Sequence, residues 1–360
     1  MNNITVILGG MSDRPTEQLE GKTPLEAADT PYIDYLFRQG KSGYQNTCNN
    51  IPCQFAAMQS LDISTDNIDN LSRASFEAAY FGIKADDEAV VLCCTFVSLS
   101  DDGDYEDKTM FGVCSDITDH EAEELIAFLA EKLNNDIFTF CQGMKAQHIL
   151  LWKKGEPHPG TLFSPYCSKR QNVYEILPQG NFVHPLYQLM VQSNELLKDH
   201  PLNIQRMAQG KNSINSVWLW EPGKMPRGIH TKKGTLVSDD LMMCGMAVSA
   251  KMKTVDTNQL AQQALKELEN GCRSLYIYTK LPRDYSLLGD VTAKKKCLEK
   301  VDKALLKPIF DFAVDSTQKY TLKVMSDCSA VASLGCYCKD PVPYAEIVLP
   351  SRETIDNIIE

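Results

Sequence analysis

The sequence predicts an α/β protein with a mostly parallel sheet flanked by helices. Short apolar runs, typical of buried strands, alternate with amphipathic helical segments through the second half of the chain. The chain has 360 residues, which suits two domains or one large domain with an insertion. A separate strand–helix–strand unit begins near residue 89. We therefore expect a discontinuous core domain over residues 1–88 and 179–360 and a smaller inserted α/β domain over residues 89–178.

Two periodicities predict the individual elements. Alternating or continuous apolar runs bounded by Gly, Pro or Asp indicate strands, and a repeat of three to four residues indicates helices. The predicted strands are residues 4–8, 89–99, 148–152, 274–279, 320–325 and 345–348, with a strand from 235 that runs into a Met-rich core segment. The predicted helices are residues 30–40, 55–61, 71–81, 120–134, 185–198, 258–270, 293–314 and 353–359.

The pattern also predicts the environment of particular side chains in these elements. Asp119 is the expected cap of the helix over residues 120–134. The run Lys294–Lys295–Lys296 is expected to form a solvated helix face. His148, on an apolar strand, is expected to be a buried core histidine.

Composition narrows the class of protein. The net charge of −11 argues against a nucleic-acid partner, because phosphate binding favours a basic surface. No apolar run of about 18 residues is present, so no membrane span is expected. No basic region precedes an apolar core at the N-terminus, so no signal peptide is expected. Thirteen cysteines without a Cys-x-x-Cys pair indicate reduced, mostly buried thiols and a cytoplasmic protein.

Several motifs occur in one order along most of the chain. They are GKTPLEAADTP at residues 21–31, the arginine segment around Arg73, DHPLNIQRMAQGKNSINSVWLW at 199–220, the Gly289-Asp290 helix start and DPVPY at 340–344. Together they resemble the cofactor-independent (2,3-bisphosphoglycerate-independent) phosphoglycerate mutases of the archaeal type, in the alkaline phosphatase superfamily. The resemblance implies an alkaline-phosphatase-like core with an inserted domain.

The resemblance also implies a chemistry, namely two divalent metals (manganese, magnesium or zinc) and a serine that carries the phosphoryl group. The family's strand-end aspartate falls on Gly9 here. Its nucleophilic serine falls on Gln54, whose amide cannot form a phospho-enzyme. The remaining metal-ligand positions fall on Arg283, Leu287, Asp327, Cys328 and Tyr337. Asp327 alone keeps a residue type suited to its role.

The substrate side of the resemblance is also reduced. Arg73, His148 and Arg206 remain as residual candidates for a substrate cleft. None of the six histidines lies in residues 231–360, where a two-metal site at the sheet edge would find its imidazoles. Carboxylates alone can bind magnesium or calcium, but Arg283 beside Asp327 would oppose a cation.

These losses lead to one interpretation and two alternatives. We expect no cofactor and a binding or regulatory pseudoenzyme that has lost metal-dependent phosphoryl transfer, with a small anionic ligand or a protein as partner. One alternative is an active phosphoglycerate mutase converting 2- and 3-phosphoglycerate, or a homoserine-kinase-like relative, with Ser60 or Ser64 as nucleophile. The other is a metal-free enzyme that uses Cys328, Cys336 or Cys338. The sequence leaves open whether the chain is an enzyme.

Overall fold

The structure is a computed structural model and describes residues 2–48, 52–101, 103–231 and 234–349. The helix predicted at residues 353–359 lies outside the described residues.

The described residues form alternating strands and helices. The strands are β1 Asn2–Leu8, β2 Lys41–Gln45, β3 Val90–Leu99, β4 Met110–Val113, β5 Phe138–Met144, β6 Gln147–Trp152, β7 Ser216–Gly223, β8 Thr235–Ser238, β9 Lys253–Asp256, β10 Ser274–Thr279, β11 Tyr320–Ser326, β12 Ser329–Val331, β13 Cys336–Cys338 and β14 Val342–Val348. The helices are α1 Pro24–Ala27, α2 Pro31–Gln39, α3 Ala57–Ser60, α4 Arg73–Tyr80, α5 Asp119–Leu133, α6 Val173–Ile176, α7 His184–Leu197, α8 Pro201–Ala208, α9 Leu241–Ser249, α10 Leu260–Glu269, α11 Leu281–Leu287, α12 Val291–Val301 and α13 Lys307–Asp315.

The chain divides into two compact units. Unit 1 comprises residues 1–66 and 228–360, and unit 2 comprises residues 67–227. The domain boundaries expected from the sequence, at 88/89 and 178/179, remain a prediction. Unit 2 extends further on both sides because β7 pairs along β3 and α4 packs on both of these strands.

Unit 1 is built on a sheet in the order β2-β14-β11-β1-β10-β8-β9. The five strands from β11 to β9 run parallel, and β14 and β2 form an antiparallel edge. Alternate side chains on these strands are apolar and join a core with α2, α10, α12 and α13. That core includes Ile4, Val6, Ile277, Leu322 and Phe310. The predicted parallel sheet and its central strands are confirmed.

Unit 2 has its own sheet and core. β3 is buried along its whole length and pairs antiparallel with β4, β6 and β7. β5 completes the sheet on the far side of β6. The core combines side chains from this sheet with those of α5 and α7. A strand buried on both faces needs a continuous apolar sequence, which residues 90–99 supply.

Two sequence expectations about helix ends and surfaces are wrong. The cap of α5 is Thr118, whose side chain accepts from the backbone N–H of Glu121 in a reciprocal capping box, and Asp119 is the first helical residue. Lys294 does not lie on a solvated face, because its side chain is fully buried beside Asp13. No helix within the described ranges combines the length and apolar character needed to cross a membrane.

Candidate functional site

The candidate site lies where the parallel strands of unit 1 end. β1, β10, β8 and β11 are neighbours in the sheet, so the residues that follow them meet at one edge. Gly9 follows β1 and Asp327 follows β11. The turn after β8 contributes Asp239 and Asp240, and α11 after β10 contributes Arg283.

Asp327 is held firmly at this edge. It is 3% exposed, and its Oδ1 accepts from the backbone N–H of Gly10 at 2.8 Å and of Cys328 at 2.6 Å. Its Oδ2 accepts from the Tyr278 hydroxyl at 3.1 Å. Three donors therefore surround the carboxylate that the resemblance assigns as the surviving metal ligand.

Arg283 supplies the positive charge of the edge. Its Nη2 donates to Asp240 Oδ2 at 2.7 Å and to Asp284 Oδ1 at 2.9 Å. Its Nη1 donates to the Tyr278 hydroxyl at 3.2 Å. The Arg283 side chain is 6% exposed and that of Asp240 is fully buried. The guanidinium thus connects Asp240 to Asp327 through the tyrosine hydroxyl.

Tyr278 explains why position 9 is a glycine. A Cβ built on Gly9 would lie 2.5 Å from the Tyr278 hydroxyl oxygen and 3.0 Å from the Thr279 carbonyl oxygen. Both distances are too short for carbon. The ring of Tyr278 therefore fills the space that a side chain at position 9 would need. An aspartate at this strand end does not fit beside Tyr278 as it stands.

Asp239 and Asp240 mainly organise the backbone. Asp239 accepts from the Thr279 hydroxyl at 2.7 Å and from the Lys280 N–H at 2.9 Å, and burial raises the pKa of its carboxyl. Asp240 caps α9 by accepting from the Met243 N–H at 3.2 Å.

The remaining positions assigned by the resemblance carry no reactive group. Gln54 lies half-buried in the 3-10 turn Cys53–Phe55, and Leu287 is half-buried at the end of α11. Tyr337 packs with Cys53 against a small cluster that contains the buried Cys328. Burial, and then the Asp327 carboxylate, raise the pKa of the Cys328 thiol well above its ordinary value. Cys328 is therefore a poor nucleophile at neutral pH.

The three residual cleft candidates all lie in unit 2 and are engaged there. Arg206 is 2% exposed and donates to Asp116 at 2.8 Å and Glu121 at 2.9 Å. Arg73 pairs with the buried Glu77 at 2.6 Å.

His148 is the third of these candidates. Its Nδ1 accepts from the Gly143 N–H at 3.0 Å, and burial lowers its pKa to about 3. A neutral, buried imidazole agrees with the sequence-based interpretation of His148 as a core histidine.

The donor set at the strand ends does not fit a pair of divalent ions. Across residues 2–48, 52–101, 103–231 and 234–349, no three His, Cys, Asp or Glu side chains converge as metal ligands. Asp327 and Asp240 are occupied by N–H, hydroxyl and guanidinium donors, and such a centre requires free lone pairs from several residues. We derive no reaction step through metals at these residues.

Sequence reasoning missed Tyr278 and the partnership of Arg283 with Asp240. The signal for the tyrosine was weak, because an aromatic residue near a strand end is ordinary. Arg283 was a clearer signal, because this arginine follows one predicted strand and acidic residues follow another.

Comparisons with known proteins agree with this architecture. A solved structure of a Pyrococcus horikoshii protein aligns over 98% of this chain and 88% of its own, with a TM-score of 0.66 and 17% identity, which shows a shared fold. The chain is an α/β protein with this fold.

Sequence comparison finds the relatives of this chain. The family model for 2,3-bisphosphoglycerate-independent phosphoglycerate mutase matches residues 71–203. A relative of that name from Methanosarcina barkeri is 29% identical, over 94% of this chain and 89% of its own. The chain is therefore similar to 2,3-bisphosphoglycerate-independent phosphoglycerate mutases along most of its length.

The expectation that no cofactor belongs to this protein is contradicted by these comparisons. These relatives are phosphoglycerate mutases, for which the resemblance implies two divalent metals. Metal dependence is therefore the property of the chain's relatives.

Proposed function

We propose that this chain has kept the fold of the family and lost its phosphoryl transfer, and that it acts by binding or regulation. The observation that supports this most directly is the packing of Tyr278 into the space beside Gly9. The buried Arg283–Asp240 ion pair adds to it. Both features fill the strand-end edge with structural contacts.

The chemistry of the edge supports the same proposal. Phosphoryl transfer through the enzyme needs an activated nucleophile in line with phosphorus. Gln54, at the position that the resemblance assigns to the nucleophile, offers a neutral amide. Asp327 is already surrounded by three hydrogen-bond donors, so its oxygen atoms are engaged in structural contacts.

The role that remains is binding of a small anionic ligand or of a protein partner. Arg73 and Arg206 are the residual cationic candidates, and both are ion-paired with carboxylates. This pairing weakens their attraction for a phosphate ester, so we favour a protein as the partner. We infer a cytoplasmic location, which the thirteen free cysteines support.

The second candidate is an active phosphoglycerate mutase or a homoserine-kinase-like relative. The extent of similarity to the Methanosarcina barkeri protein favours it. It would need Ser60 or Ser64 as nucleophile. Ser64 pairs through its backbone with His230, and Ser60 lines a cavity on the sheet face together with Asn3 and Thr321.

The test is an assay of the purified full chain with manganese, magnesium or zinc supplied, with bound metal measured in the same samples. We expect no interconversion of 2- and 3-phosphoglycerate above background, while the Methanosarcina barkeri relative is assayed in parallel as the reference. Robust turnover that disappears in the Asp327→Asn variant would overturn the proposal and assign the activity to this edge.

A further inference from the structure

One face of the central strands of unit 1 is polar. Tyr276, Thr5, Lys323 and Glu346 are register partners across β10, β1, β11 and β14, and form one row on this face. A second row two residues away contains Ser274, Asn3 and Thr321. The faces of parallel strands are normally apolar and covered. The alternate positions of these same strands follow that rule, because they belong to the apolar core.

The polar rows line a cavity of about 520 Å³. The end of β2 and the segment from α3 to Asp62 supply its other walls, through Gln45, Asn46, Thr47, Gln59, Ser60 and Asp62. The volume lies within the range of about 300–1,000 Å³ that is usual for small-molecule sites. The lining is dominated by amides and hydroxyls, whereas most such sites are mainly apolar.

The cavity is separate from the strand-end edge. On β1 it lies beside Asn3 to Thr5, and on β11 it reaches Met325, two residues before Asp327 of the edge. At about 3.3 Å per residue, its nearest lining residue is about 7 Å from the edge along the strand. The cavity therefore stands as a site whether or not phosphoryl transfer is lost.

One wall atom lacks a partner. The Oγ of Ser60 is buried and has no hydrogen-bond partner within the described part of the chain. A buried hydroxyl without a partner costs about 1–3 kcal/mol, so native structures usually satisfy it. Ser60 lines the cavity, and a ligand there would provide the missing bond once the Ser60 side chain rotates to expose this oxygen.

The charges of the lining restrict the ligand. Lys323 is the cationic side chain among the lining residues, whereas Asp62 and Glu346 are both carboxylates. Lys323 and Glu346 face each other across neighbouring strands. The described lining therefore offers a single cationic side chain, which is too little to attract a phosphate ester or other anion. Closely spaced amides and hydroxyls offer donors and acceptors together, which suits hydroxyl groups of a ligand.

From these features we propose that this cavity binds a neutral polyhydroxylated molecule of about the size of a monosaccharide. Its hydroxyls donate to Glu346 and accept from Lys323, and they also bond with the amide and hydroxyl side chains of the walls. The Tyr276 ring provides the apolar surface on which the carbon side of such a ligand packs.

The test is saturation-transfer NMR of the full-length protein with glucose and myo-inositol as neutral probes and glucose 6-phosphate as the charged counterpart. We expect transfer to at least one neutral probe and weaker transfer to the phosphorylated one. Lys323→Met and Thr321→Val should each weaken binding by about tenfold. Lys266→Met is the matched control, because Lys266 is exposed on α10 and outside the cavity lining.

Each other outcome contradicts the proposal. It fails if neither neutral probe receives transfer, if glucose 6-phosphate binds more tightly than glucose, or if both lining variants bind like the control. Sedimentation velocity checks a further case. If the wild type is a dimer that either lining variant dissociates, the face is an interface between copies and the proposal is wrong. Thr321→Val, a near-isosteric change, keeps the test available if Lys323→Met does not fold.

Discussion

Replacing Arg283 with leucine should strongly destabilise unit 1. The substitution removes the Arg283 guanidinium from the Asp240 carboxylate, whose side chain is fully buried. Removing one member of a buried ion pair costs about 3–5 kcal/mol. For a unit of this size, each kcal/mol lowers the melting temperature by about 2–4 °C. Arg283→Leu should therefore lower the melting temperature of unit 1 by about 6–20 °C.

The assay is thermal unfolding followed by calorimetry, with hydrogen exchange of α9 and α11 to assign the effect to this edge. The double variant Arg283→Leu/Asp240→Asn removes the buried charge, so it should recover a substantial part of the loss. Arg14→Leu is a matched control, because the Arg14–Asp340 pair is exposed and exposed pairs contribute little to stability. An Arg283→Leu effect no larger than that of Arg14→Leu would refute the reasoning.

Three further perturbations follow from the same contacts. Gly9→Ala should lower the unfolding free energy by about 1–3 kcal/mol through overpacking. In the double variant, Tyr278→Phe should recover part of this loss. Losses that simply add in urea unfolding would contradict the close contact between these two residues. Burial raises the pKa of Asp302 to about 6, so the folded state binds its proton more tightly than the unfolded state. The wild type should lose about 2–3 kcal/mol relative to Asp302→Asn as the pH rises from about 4 to 6, and a pH-independent difference would exclude this. Lys294→Met should lower the unfolding free energy by about 3–5 kcal/mol, because it removes the ammonium that pairs with the buried Asp13 carboxylate. An unchanged stability in calorimetry would show that the pair is dispensable.

The sequence predicted the framework of the fold well because its central strands are continuous apolar runs. β1, β3, β10 and β11 were all placed within a few residues of their observed bounds. The pairing of β7 with β3 was not predictable in the same way. It joins segments separated by more than 100 residues, and periodicity carries no information about which strands become neighbours.

The composition of the candidate edge was predictable, but its contacts were not. Gly9 and Arg283 were identified as positions where reactive residues are replaced, and Asp327 as the position where a suitable residue remains. The fit of Tyr278 beside Gly9 depends on a side chain from a neighbouring strand, and becomes visible only when β1 and β10 are paired.

Lys294 failed as a surface prediction for a related reason. A run of three lysines is usually solvated, but Lys294 donates to Asp13 at 2.8 Å and to the Ala330 carbonyl at 2.8 Å. These partners come from distant parts of the chain, and together they offset the desolvation of a buried ammonium.

The most direct measurement is phosphorus NMR of 3-phosphoglycerate incubated with a stoichiometric amount of the protein and added manganese. At that ratio even a single turnover per chain is visible, so slow catalysis is not missed. We predict an unchanged 3-phosphoglycerate spectrum, with no 2-phosphoglycerate, free phosphate or phosphorylated protein. The appearance of any of these species, and their loss in Asp327→Asn, would contradict the proposed loss of phosphoryl transfer.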